Sequence, residues 1–134
     1  MSTSTQPSGL RKTLQASYDE ALQRVPEALK AEGFGVLTEV DVQSTLKQKL
    51  GVDIRRYKIL GACNPAFAHK ALSIELEAGL VMPCNVIVYE GDDRRATVVA
   101  IDPTQTVAAS GNAELAALAG ELKTKLARVI DKLA

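Results

Sequence analysis

Apolar positions along the chain switch between the two-residue period of a strand and the period of about 3.6 residues of a helix, and the switches mark the elements. Leu10, Lys12, Leu14 and Ala16 alternate with Arg11, Thr13 and Gln15, the pattern of a half-buried strand. Ser17 opens a helix, with Glu20 placed to complete a capping box and Leu22, Val25 and Leu29 on its apolar face. Pro26 removes one backbone donor and crowds the Leu22 carbonyl, so a kink is expected there; Gly33 ends the helix. A second strand follows from Phe34 to Val40, with Phe34, Val36, Thr38 and Val40 on one face. Asp41 caps a short helix that carries Val42, Leu46 and Leu50 and stops at Gly51.

The third strand spans about Arg56 to Cys63. Asn64 then caps another short helix, with Pro65 in its first turn and Phe67, Ala71 and Leu72 as its buried residues. Glu75 to Pro83 has no clear period and is assigned as a connection. Cys84 to Tyr89 is apolar on both faces, with Cys84, Val86 and Val88 on one and Ile87 and Tyr89 on the other. Gly91-Asp92-Asp93 turns the chain into a hairpin partner, Ala96 to Asp102, and Pro103 to Gly111 reads as loop. From Asn112 a long last helix carries Leu115, Leu118, Leu122, Leu126, Val129 and Leu133 in one stripe.

Two amphipathic helices need a sheet face to bury their stripes, so the order strand, helix, four strands, helix predicts an α+β two-layer sandwich with two short inserted helices. The strands around Cys84 are apolar on their second face too. That face needs cover from the inserted helices or from a second copy of the chain, and a homodimer is expected.

A chain of 134 residues suits one domain, assigned to residues 9–134, with Met1 to Ser8 as a loose Ser/Thr-rich tail. The 16 basic and 16 acidic residues cancel, and aromatic content is 4%; neither favours a nucleic-acid or membrane partner. Two cysteines make no disulfide framework, and no signal peptide or long apolar run is present, so a reduced, cytoplasmic location is expected. No phosphate loop, nucleophile elbow or metal-binding His pair occurs.

The stretch from Glu32-Gly33-Phe34-Gly35 through Val42 resembles the opening block of the "domain of unknown function 302" family. Leu60-Gly61-Ala62-Cys63-Asn64-Pro65, Ala68-His69-Lys70-Ala71-Leu72, Pro83-Cys84-Asn85-Val86-Ile87-Val88-Tyr89-Glu90 and Ile101-Asp102-Pro103 continue the resemblance over roughly Gly9 to Val107. It implies a TATA-binding-protein-like fold with strand–helix–four strands–helix order, and makes a homodimer plausible. It carries over no activity and no residue roles, and the fold type does not imply DNA binding. Pro26 departs from the pattern expected of the family's first helix.

The two cysteines stand in parallel settings, Cys63-Asn64-Pro65 and Pro83-Cys84-Asn85, and are the best clue to a site. Cys63 precedes a helix N-terminus, where backbone amides favour an anionic sulfur. If the third and fourth strands are antiparallel neighbours, Cys63 closes one beside the start of the other, within roughly 10 Å of Cys84. The pair could then hold a small ligand, a metal or a sulfur species, with His69 as a third metal ligand or a base, and Asn64 and Asn85 donating amides. The alternatives are a thiol-dependent enzyme or redox protein using Cys63, and cysteines that merely fill gaps in the core. The 21-residue separation matches no tight zinc spacing. Glu39, Asp41 and Asp102 read as solvated caps rather than acid–base groups, and Arg55, Arg56 and Lys58 as a solvated strand face rather than an anion site.

Overall fold

A computed structural model describes residues 9–107 and 111–134. The N-terminal tail and the middle of the loop before the last helix lie outside the described residues. Ser17 and Glu20 form the reciprocal capping box, and α1 (Tyr18–Ala31) runs on through Pro26. Asp41 accepts from the Ser44 N–H to open α2 (Val42–Leu50), which ends at Gly51 in the left-handed conformation that glycine adopts without strain. Asn64 accepts from the Phe67 N–H to open α3 (Pro65–Ile74). Asn112 accepts from the Glu114 and Leu115 N–H groups, at 2.8 and 3.1 Å, to open α4 (Ala113–Lys132).

The strands are β1 (Gly9–Thr13), β2 (Gly35–Asp41), β3 (Tyr57–Cys63), β4 (Cys84–Glu90) and β5 (Ala96–Ile101). They form one antiparallel sheet in the order β1-β5-β4-β3-β2. Element order and architecture are those of the α+β sandwich expected from the sequence, strand–helix–four strands–helix with two short helices inserted. α1 and α4 lie together on one face. Leu60, Val86, Val88 and Val98 from the strands meet Val25 and Leu29 of α1 and Leu126 and Val129 of α4 in the main core.

Leu72 of α3 stands 37% exposed rather than buried, and two further local expectations need correction. Register shifts between Val36 and Thr38, so that Val36 pairs with Ala62 while Thr38 pairs with Gly61. Leu37 is the extra residue of this bulge and stands 68% exposed. Because one inserted residue reverses the alternation, Val36 packs on the main core while Thr38 and Val40 fall on the opposite face. The second correction concerns Glu75 to Pro83. It is not plain connection but contains a 3₁₀ turn, Leu76–Val81, whose Ala78 is buried.

α4 reaches past the end of the sheet. Its lower half serves the main core, while Leu115, Leu118 and Ala119 in its upper half form a second cluster with Ala71 of α3, Ala78 of the 3₁₀ turn and Val107. Three polar ties hold α4 in place. Lys12 of β1 donates to the carbonyls of Asp131 and Leu133, the unpaired acceptors at the helix end. Lys123 pairs with Asp102 at 3.0 Å. Glu32, just after α1, accepts from both Arg128 and Lys132 at 3.0 Å, and these hydrogen bonds hold its carboxyl below the usual range.

Leu126 is fully buried between α4 and the sheet. Its truncation to alanine should cost about 2–5 kcal/mol in denaturant unfolding. A loss below about half a kcal/mol would mean that α4 does not carry the core.

Candidate functional site

Gly61-Ala62-Cys63-Asn64-Pro65 takes the chain from β3 into α3, and Met82-Pro83-Cys84 brings it back into β4. The return is tight. A side chain on Gly61 would overlap Thr38 Oγ1 and come within 2.8 Å of Pro83 Cγ, so only glycine lets β2 and the start of β4 close on β3 here. β3 and β4 are antiparallel neighbours, with Ala62 opposite Cys84. Cys63 is thus one residue from Cys84's direct partner, and the two cysteines meet at one end of the sheet.

That offset has a consequence for the thiols. Cys84 is buried with Val86 and Val88 on the helix face, whereas strict alternation would send Cys63 the other way. β3 ends at Cys63, however, and a cavity reaches this strand end with both cysteines in its walls. It lies at the seam of the two core clusters. Phe34 and Leu122 wall it from the main core, Ala71, Leu118 and Val107 from the second, and Phe67, Val81 and Met82 complete it. It encloses about 30 Å³ and its surface is almost wholly apolar.

Burial pushes the Cys84 thiol up to about 11, with the neighbouring Cys63 adding to the shift. Cys84 is therefore protonated near neutral pH and a poor nucleophile by itself. Cys63 is half-buried, the more accessible of the two.

The other candidates separate. Asn64 is in the cavity wall, but its carboxamide is engaged: the oxygen accepts from Phe67 N–H at 3.4 Å and the nitrogen donates to the Glu32 carbonyl at 3.5 Å. His69 is exposed in a different, open groove between α3 and α4, with Lys70, Ser73, Glu114 and Glu121. Asn85 is exposed and lines a shallow depression with Leu80 and Thr106. The expected set Cys63, His69 and Cys84 is not brought together: among the described residues no group of three or more His, Cys, Asp or Glu is placed to hold a metal ion. Met82, Phe34, Phe67, Leu118 and Leu122 were not singled out by sequence as site residues. Only the position of Met82, two residues before Cys84, carried a signal.

The charged candidates are engaged in structural ties. Asp102 is buried and accepts from Thr104 N and Oγ1 at 2.9 and 2.6 Å. Burial raises its carboxyl, but the hydrogen bonds from Thr104 and Lys123 outweigh it and leave the group below its ordinary value. Asp41 caps α2, and Glu39 pairs with Lys58 at 3.6 Å. Arg55 pairs with Asp92, and Arg56 pairs with Asp19 while lying over the Tyr18 ring.

A protonated, buried thiol beside an accessible one gives a measurable contrast. Near neutral pH Cys84 is almost wholly in the protonated thiol form. Brief treatment of the folded protein with iodoacetamide should label Cys63 and leave Cys84 unmodified in peptide mass spectra. Equal labelling would show that Cys84 is open to solvent.

A family model described as "Domain of unknown function DUF302" matches residues 10–133. A crystal structure of an uncharacterized conserved DUF302 protein from Bacillus stearothermophilus is similar to the chain at a TM-score of 0.87. The two are 29% identical, and the similarity covers 94% of this chain and 98% of that one. No curated protein matches. With both the fold and nearly the whole length in agreement, the chain belongs to the DUF302 family.

Proposed function

We propose that this protein is a small cytoplasmic binding module, assembled as a homodimer, whose site is the cavity at the seam of its two core clusters. The supporting observation is that both cysteines, drawn from segments 21 residues apart, stand in the wall of one otherwise apolar cavity. Catalysis is less well supported than binding. The lining holds no His, Asp, Glu, Lys or Arg among the described residues, so the cavity itself offers no base to a nucleophilic Cys63. Two free thiols suit a reducing compartment, and among the described residues no helix is long and apolar enough to cross a membrane.

The dimer rests on the sheet face away from α1 and α4. Tyr57 and Tyr89 stack there across β3 and β4 with ring centroids 5.6 Å apart, and the cross-strand pair Ile59–Ile87 lies beside them. Val40 adds an apolar side chain 46% exposed, and α2, which touches β2 and β3, has no buried residue. An apolar sheet face without a full helical cover is the kind of surface that a second copy buries.

Xenon is a small apolar guest, which makes the gas a probe of whether the cavity can open to a ligand. Xenon should produce saturable methyl shifts in NMR spectra at Ala62, Leu118 and Leu122. The shifts should vanish in Ala71→Leu, which fills the space. Shifts confined to the exposed Leu76 and Leu80 would remove the cavity as a binding site.

Light scattering at micromolar concentration should give twice the chain mass of 14.3 kDa. Tyr89→Lys should shift the population toward monomer. A monomer in the parent protein would leave the sheet face as ordinary surface.

A further inference from the structure

The chain contains two cysteines and two methionines. Three of those four sulfur-bearing residues, Cys63, Met82 and Cys84, line the same small cavity; the fourth is Met1. Resting on the proposal that this cavity is a binding site, we infer that its ligand is a soft monovalent cation of the copper(I) class. The thiolates of Cys63 and Cys84 hold the ion, with the Met82 thioether as third donor.

The donor set selects the metal. Thiolate and thioether sulfur are soft ligands, matched to copper(I) and poorly matched to magnesium or calcium, which need several oxygens. Carboxylates are absent from the described lining, and the Asn64 carboxamide is already engaged. Structural zinc takes four nitrogen or sulfur ligands, one more than is present, and His69 is in another groove. The space of about 30 Å³ is on the scale of one small species such as a single ion.

Charge is also accommodated. Each thiol yields its proton to solvent as its sulfur forms a bond to the ion, so two protons leave and copper keeps its oxidation state. The uncharged site then carries one negative charge. α3 has ten residues and begins at Pro65, two residues after Cys63, so the positive end of its dipole lies close to that charge, with its cap Asn64 and first-turn Phe67 in the wall. Met82 has a flexible side chain that can adjust to the ion, and it packs against the second cluster. The half-buried Cys63 gives a route for the metal from solvent.

The full-length reduced protein, titrated anaerobically into the coloured copper(I)–bicinchoninate complex, tests the inference. One copper(I) per chain should be withdrawn from the dye. Cys63→Ser and Cys84→Ser should each weaken binding at least 100-fold, and Met82→Leu about tenfold, with circular dichroism showing that each variant is folded. Cobalt(II) should give no tetrahedral thiolate spectrum. Failure to compete with the dye, or equal binding by the Cys63→Ser/Cys84→Ser double variant, would overturn the inference. Should copper(I) be refused while xenon still enters the cavity, the metal assignment falls and the binding module stands. If neither enters, both fall.

Discussion

Burial of α4 is the constraint from which the rest of the architecture follows. The helix is 20 residues long, about 30 Å, and its apolar stripe continues over almost that whole length. The sheet gives Leu122, Leu126, Val129 and Ile130 a partner, but Leu115, Leu118 and Ala119 extend beyond it. An apolar overhang must be covered, and the excursion between β3 and β4 does this with α3 and the 3₁₀ turn. Two clusters, packed separately against one helix, meet at a seam, and the cavity is there. The candidate site is thus a by-product of covering a helix longer than its sheet, lined by whatever residues the chain carries out of β3 and back into β4.

Polar contacts decide how firmly this arrangement is held. Glu32 ties the end of α1 to two turns of α4, and Asp102 ties the end of β5 to Lys123. Exposed ion pairs contribute little, typically under about 1 kcal/mol, so Arg24–Glu20 and Lys47–Asp53 matter less. Both Glu32 and Asp102 have lowered carboxyl pKa values. Their contribution is therefore present at neutral pH, above the unfolded-state values, and is lost as acid protonates them. Acid loosens the helical layer where it joins the sheet.

Local chemistry made most of the fold legible in the sequence. Ser17, Asp41, Asn64 and Asn112 all cap as their residue types and spacing indicate, and the leucine stripe of α4 is buried as its period requires. What failed needed information from another part of the chain. The bulge at Leu37 adjoins Gly61, whose missing side chain leaves room for Thr38, and nothing within β2 announces it. The meeting of Cys63 and Cys84 followed from strand order, because antiparallel neighbours must share an end. Nearness in sequence places His69 and Asn85 with them, yet a helix turns successive residues to different sides and a strand alternates them. Met82 entered the site through a wall that exists only once α3, the 3₁₀ turn and α4 have packed.

The pairing of β1 bears on the order in which the chain can fold as it is made. Gly9 lies opposite Ile101, and Lys12 reaches the carbonyl of Leu133, while β1 has no neighbour other than β5 in the sheet. At ribosomal rates of about 5–20 residues per second, the first strand waits on the order of 5–20 s for its partner to be synthesised. α4, which holds the capping interaction with Lys12, comes later still. During that interval the nascent chain has β2, β3 and then β4 available for pairing, while Leu10, Leu14 and the apolar side of α1 have no completed surface to cover them. β1 therefore cannot take its place in the sheet before residues 96–101 have been made, although it is the earliest strand in the chain.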